Sequence, residues 1–121
     1  MSDAENGSTR ILGDRLRLGF GFSAAHRDHV LGLLSGIERH LAAWDPEQVD
    51  LEISVKDRHG PEQKVTFEAW LPGWPAIVAN STSSDLDHAL IEVRKELIRQ
   101  IEDAKAKRGS HQHQEDNDRT A

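Results

Sequence analysis

Seven histidines are the side chains that most readily suggest chemistry in this sequence. His26 and His29 are three residues apart, so a helix would place them on one face with the carboxylate of Asp28 close by. No third ligand follows at a spacing typical of a metal site, and the chain has no cysteine. Neither a nucleophile elbow nor a P-loop is present. We therefore expect no metal, no cofactor and no catalysis, that is, a protein that is not an enzyme.

A second group of side chains has the chemistry to bind phosphate. Cations displace the counterions condensed on nucleic acid, which gives a salt-dependent affinity. On a helix they can equally form a solvated face, where pairs such as Glu92–Lys95 and Glu102–Lys105 contribute roughly 0.2–0.5 kcal/mol each. The cations in question are Arg94, Lys95, Arg99, Lys105, Lys107 and Arg108. The pattern alone leaves both interpretations open.

Length and composition limit the fold to one small domain. The 121 residues carry a formal net charge of −6, much of it in polar tails. We expect residues 1–9 to be a disordered tail, residues 10–108 to form the domain, and residues 109–121 to be a disordered acidic tail. No apolar run approaches the ~18 residues of a membrane span, and the start lacks the order of a signal peptide. The expected location is therefore the cytoplasm, with no membrane partner.

The phosphate-binding candidates lie on the most regular segment of the chain, Ser81–Arg108. Its apolar residues recur at steps of three and four, which predicts an amphipathic helix. Ser84 followed by Asp87 is a start signal that Asp85 strengthens, and Gly109 is a natural stop.

Four earlier segments supply what this helix packs against. Period-2 alternation predicts strands at residues 15–22, 49–55, 65–71 and 76–79, and Ser23 caps a helix predicted over residues 24–44. The order β-α-β-β-β-α indicates an α+β two-layer sandwich, in which both helices cover one face of a four-stranded mixed sheet. The predicted core includes Leu18, Phe20, Val30, Ile37, Leu51, Ile53, Val55, Val65, Phe67, Leu86, Leu90, Val93, Leu97 and Ile101.

Both helices and the element order resemble one protein family. The last helix has Asp85-Leu86, Ala89-Leu90, the core Leu97-Ile98-Arg99-Gln100-Ile101, and the lysines Lys105 and Lys107. In the first helix, Arg27-Asp28-His29-Val30 and Ile37-Glu38-Arg39 fall where the family has similar residues. The chain resembles the short form of the ribosome hibernation promoting factors, also called ribosome-associated inhibitors or sigma-54 modulation proteins. Its length leaves no room for the C-terminal dimerisation domain of the long members.

The resemblance implies a non-enzymatic factor for translation regulation in the stress response. Such a factor binds rRNA of the small ribosomal subunit and promotes ribosome hibernation. The rRNA-binding residues it implies are Arg27, Arg39, Lys95, Arg99, Lys105, Lys107 and Arg108. The chain departs from the family at Leu33, Gly36, Glu96 and Asp103, where lysine is common, so fewer phosphate contacts are available.

An alternative function keeps the fold without the RNA surface. Trp70 and Trp74 flank the Pro72-Gly73 turn, and Trp70 falls on the strand parity opposite to the core residues. Exposed tryptophans are frequent at interaction hot spots. The alternative is therefore a protein-interaction or dimerisation module that docks through Trp70 and Trp74, with a homodimer as one form of that docking.

Overall fold

The computed structural model describes the backbone of residues 11–120 and the side chains of residues 11–108. The chain forms β1 (Leu16–Leu18), α1 (Arg27–Leu34), β2 (Asp50–Lys56), β3 (Lys64–Trp70), β4 (Ile77–Ser81) and α2 (Leu86–Thr120). Short 3-10 helices at Ala24–His26 and Ser35–His40 flank α1, and another at Pro46–Gln48 precedes β2. Residues 11–15 add a helical segment before β1.

The four strands form one mixed sheet in the order β1-β2-β3-β4. β1 runs parallel to β2, with Leu16 opposite Leu51, and the other neighbouring strands are antiparallel. α1 and α2 pack against each other and cover one face of this sheet, so the predicted two-layer α+β sandwich is confirmed. The other face of the sheet is not covered by these helices, and we call it the open face.

The core lies between the sheet and the helix layer, as the alternation in the sequence predicts. Strand residues of one parity are buried and those of the other are not, because successive side chains point to opposite faces. Leu18 and Leu86 are partly buried against the core. The other predicted core residues that are buried are Val30, Ile37, Leu51, Ile53, Val55, Val65, Phe67, Leu90, Val93, Leu97 and Ile101.

Phe20 was the wrong member of the predicted core, since its side chain is 76% exposed. β1 ends at Leu18, short of the predicted residue 22, because the chain turns there. The Phe22 N–H donates to the Gly19 carbonyl at 3.3 Å, and Gly21 has a φ of +89°. A side chain on Gly21 would also collide with the backbone of Val55, so both φ and space require glycine. The turn breaks the period-2 pattern and brings Phe20 outside.

The first helix is shorter and less regular than the predicted residues 24–44. It passes from 3-10 to α geometry at Arg27, returns to 3-10 geometry at Ser35, and ends at His40. Gly36 costs about 1 kcal/mol relative to alanine inside a helix, and the Ser35 hydroxyl donates to the Gly32 carbonyl at 3.1 Å. Both features weaken the α-helix at this point.

The last helix begins one residue later than the Ser84 signal predicts. Asp85 is the cap: its carboxylate accepts the His88 N–H at 3.1 Å. The helix continues to Thr120, past the predicted stop at Gly109. The predicted tail at residues 1–9 lies outside the described residues, and the domain boundaries stay a prediction.

Candidate nucleic-acid interface

The cations predicted to bind RNA lie in the helix layer, and α2 presents them in different directions. At 100° per residue, the buried residues Leu90, Val93, Leu97 and Ile101 define the inner side of α2. Arg94 and Lys105 lie on the flank beside α1, whereas Lys95 and Arg99 point outward. The helix therefore does not present its basic side chains as one stripe.

Arg94 and Lys105 hold the two helical segments together. Arg94 Nη1 donates to the Leu33 carbonyl at 3.0 Å, and Lys105 Nζ donates to the His40 carbonyl at 3.0 Å. These carbonyls lie near the ends of short helical segments, where backbone acceptors lack an intrahelical partner. Both cations therefore complete the hydrogen bonding of the first helix, which leaves them less free to bind phosphate.

Two histidine–carboxylate pairs join the same segments. His29 Nε2 lies 2.8 Å from Asp87 Oδ1, and His40 Nδ1 lies 2.7 Å from Glu102 Oε2. The hydrogen bond with His40, supported by Lys105, lowers the pKa of the Glu102 carboxyl below its ordinary value. The flank between α1 and α2 is thus a line of mutually satisfied polar contacts.

Arg27 is bound to the backbone before β1. Its guanidinium donates to the Gly13 carbonyl at 2.6 Å and to the Leu16 carbonyl at 3.0 Å. Two carbonyls from a different part of the chain are thereby held by one side chain. Arg27 thereby links α1 to β1 and to the segment that precedes it.

Arg99, the best match to the family pattern, points outward but has two acidic neighbours. Its guanidinium lies 2.5 Å from Glu96 Oε2 and 2.7 Å from Asp103 Oδ2. The hydrogen bond from Arg99 lowers the pKa of Glu96, and the same contact raises the pKa of Arg99. Glu96 and Asp103 stand where the family commonly has lysine, so the local charge around Arg99 is negative.

Five predicted cations are exposed; Arg99 has its acidic neighbours and Arg108 contacts a tryptophan ring, which leaves Arg39, Lys95 and Lys107. Among the described residues, no carboxylate lies within 4.0 Å of their charged groups. Lys95 borders a groove between α2 and β4, whereas Arg39 belongs to the 3-10 segment after α1. They are available to phosphate but lie apart. Whether any of the predicted residues contacts RNA stays a prediction.

Arg108 and Lys105, near the middle of α2, contact two tryptophan rings. Arg108 Cζ lies 4.6 Å from the centre of the Trp74 ring, and Lys105 Nζ lies 5.3 Å from that of Trp44. The two rings meet edge to face at 5.0 Å. Trp74 is therefore a packing residue of the helix layer, held by cation–π and aromatic contacts.

Trp70 is separate from this cluster. It is half-buried on the open face, where Arg17 Cζ lies 5.5 Å from its ring centre. Trp70 and Trp74 consequently do not combine into one apolar patch, and their proposed role as a docking surface stays a prediction.

Two buried polar residues, Glu38 and Gln63, join distant segments of the chain, and the sequence analysis did not predict this role. The Glu38 carboxylate accepts the backbone N–H groups of Ile11 and Leu12 at 3.0 and 2.9 Å. The Gln63 amide donates to the Ser83 carbonyl at 2.9 Å, which ties the β2–β3 turn to the start of α2. Both lie in polar stretches whose partners are distant in sequence, so no local pattern could identify them.

The described residues show neither a metal cluster nor a membrane helix. Nowhere in residues 11–108 do three histidine, aspartate or glutamate side chains converge as a metal site requires. The helices that the structure describes all fall short of the length or apolar character needed to cross a membrane.

Comparison with known proteins finds similarity only to solved structures, among which five chains match. No family model and no curated protein matches the chain. Among solved structures, the chain is similar to a ribosomal subunit interface protein from Coxiella burnetii, at 18% identity and a TM-score of 0.48, over 76% of this chain and 98% of that one.

Proposed function

We propose that this protein is a non-enzymatic, cytoplasmic ribosome-associated factor. It binds rRNA of the small ribosomal subunit and restrains translation under stress. The observation that carries the proposal is the β-α-β-β-β-α fold with both helices on one face, combined with the family-like residues of α1 and α2. This is the arrangement that the resemblance implies.

The helix layer supports only a limited number of phosphate contacts. Arg39, Lys95 and Lys107 have no acidic partner among the described residues, and they are the first candidates. Arg99 would have to leave Glu96 or Asp103 to bind a phosphate. We therefore expect a weak and strongly salt-dependent affinity, because each phosphate contact adds to the salt slope.

The test is co-sedimentation of the purified protein with small ribosomal subunits across a salt series. Wild type should sediment with the subunits at low salt and dissociate as the salt rises. The variant Lys95→Gln with Lys107→Gln should dissociate at lower salt. Arg17→Gln is a control, since Arg17 lies on the open face beside Asp50 and Glu52. Absence of wild-type co-sedimentation at low salt would overturn the proposal.

The second candidate is a protein-interaction or dimerisation module. The acidic residues around Arg99 and the internal contacts of Arg27, Arg94 and Lys105 favour it, because they reduce the charge available to RNA. A concentration-dependent dimer in analytical ultracentrifugation, together with no ribosome binding, would support this module in place of the ribosome factor.

A further inference from the structure

The open face of the sheet separates its charges into two ends. Across β2 and β3, Glu52 lies opposite Glu68 and Lys56 lies opposite Lys64, with Ser54 and Thr66 between them. Like charges placed directly opposite each other destabilise a sheet, and opposite charges would stabilise it. The arrangement is thus unfavourable for folding at both ends of the same pair of strands.

The acidic end is partly neutralised from within the chain, whereas the basic end is not. Arg17 Nη1 lies 3.2 Å from Glu52, and Arg15 and Arg17 both approach Asp50. Lys56 and Lys64 are exposed, and no carboxylate of the described residues lies within 4.0 Å of either ammonium group. The basic end has unbalanced positive charge that an external anion would satisfy.

Phe20 places an aromatic ring beside these lysines. Phe20, Ser54, Lys56, Lys64 and Thr66, together with Val55, line a shallow cavity of about 320 Å³. These first five residues are called the basic corner below. The exposed ring has a fixed backbone, because the Val55 N–H donates to the Phe20 carbonyl at 2.8 Å and the Gly19 N–H to the Ile53 carbonyl at 2.7 Å. Arg58 Nη1 also donates to the Gly21 carbonyl at 2.9 Å.

The combination fits one ligand chemistry best. An exposed aromatic ring stacks on a nucleobase, neighbouring ammonium groups bind phosphates, and hydroxyls hydrogen-bond to base edges or the ribose 2′-OH. An acidic peptide would satisfy the lysines but would leave the ring of Phe20 without a partner. We propose that the basic corner binds single-stranded RNA, with a base stacked on Phe20 and phosphates held by Lys56 and Lys64. This contact lies on the sheet and is separate from the helix layer of the proposed function.

The test is fluorescence anisotropy of a labelled single-stranded oligoribonucleotide of about ten nucleotides. Phe20→Ala should weaken binding by about fivefold or more, as expected for the loss of one stacked base. Val78→Ala is the matched control: Val78 is 37% exposed and lies on β4, away from the corner. Its binding should equal that of wild type.

The lysines are tested by the salt dependence of the same binding. Lys56→Gln with Lys64→Gln should reduce the slope of log affinity against log salt by about 1.4, that is, two single-strand phosphate contacts. Arg15→Gln with Arg17→Gln removes the same charge from the acidic end of the open face and should leave the slope unchanged. Equal effects of the two double variants would indicate attraction by net charge alone and would overturn the proposal.

The remaining outcomes separate this inference from the proposed function. Ribosome co-sedimentation with unaltered oligonucleotide binding by Phe20→Ala would overturn the RNA site and leave the ribosome factor standing. Oligonucleotide binding that depends on Phe20, without ribosome co-sedimentation, would support the RNA site and overturn the ribosome factor. Binding of a poly-glutamate peptide and no binding of RNA would contradict the proposal in favour of an acidic protein partner.

Discussion

The helix layer and the open face both carry cations, but they use them differently. In the helix layer, Arg27, Arg94 and Lys105 donate to backbone carbonyls, and Arg99 is flanked by two carboxylates. On the open face, Lys56 and Lys64 face each other across two strands. Most of the helix-layer cations are therefore used in contacts that stabilise the fold, whereas the repulsion between Lys56 and Lys64 destabilises it. The number of basic residues on an element is therefore a poor measure of the charge that it offers to a ligand.

The largest effect that distinguishes the two regions should come from Arg27→Ala. This change removes a charged donor from the carbonyls of Gly13 and Leu16, and we expect the free energy of unfolding to fall by about 2 kcal/mol in urea denaturation. Arg39→Ala is the control, because that exposed side chain should contribute less than about 0.5 kcal/mol. Equal effects of both changes would mean that Arg27 is as dispensable to the fold as a surface cation.

Lys64→Glu should have a smaller effect of opposite sign. It replaces a like-charged cross-strand pair with an attractive one, so the free energy of unfolding should rise by about 0.5 kcal/mol. Lys64→Gln, which removes the repulsion without adding attraction, should give an intermediate value. The Lys64→Glu variant should also bind the oligoribonucleotide less tightly. A lower free energy of unfolding in Lys64→Glu than in wild type would show that the lysine pair does not destabilise the fold.

The smallest effect concerns the pH dependence of the contact between the helical segments. Because the hydrogen bond with His40 lowers the folded-state pKa of Glu102, the carboxylate stabilises the fold above the ordinary glutamate pKa of about 4.3. This contribution is lost as the pH falls through the lowered pKa. Glu102→Gln should therefore make the acid-side decline of the thermal midpoint slightly shallower than in wild type. Asp28→Asn offers a comparison at an exposed carboxylate of α1, and identical curves for wild type and Glu102→Gln would contradict the expectation.

The fold was predictable from the sequence where one periodic pattern decides the burial. β2 and β3 alternate strictly, so their inward residues are the predicted ones and their bounds differ from the prediction by one residue. Phe20 was not predictable in the same way, since alternation placed it inside and only the turn at Gly21 takes it out. Ser84 and Asp85 are both good helix caps, and only the tertiary path of the loop selects Asp85.

The candidate site was less predictable than the fold, because its charges are balanced by contacts between distant segments. The apolar spacing did identify the buried side of α2, which includes Leu90, Val93, Leu97 and Ile101. It could not reveal that Lys105 donates to the backbone carbonyl of His40, a residue 65 positions earlier. The like-charged pair of Lys56 and Lys64 also depends on strand register, which the sequence indicates only once β2 and β3 are paired.

The parallel pairing of β1 has a consequence for the order in which the molecule assembles. Arg17 and Glu52 are opposite each other but 35 residues apart, whereas Thr66 and Asn80 in the β3–β4 hairpin are 14 apart. Closing the longer loop costs more chain entropy, so the meander can form with α2 before β1 joins it. β1 has three residues in its ladder and is also the strand that detaches most readily. In native-state hydrogen exchange, the amide of Leu18 should accordingly exchange faster than that of Phe67. Phe20 follows β1 closely in the chain, so the basic corner would be among the last parts of the molecule to form.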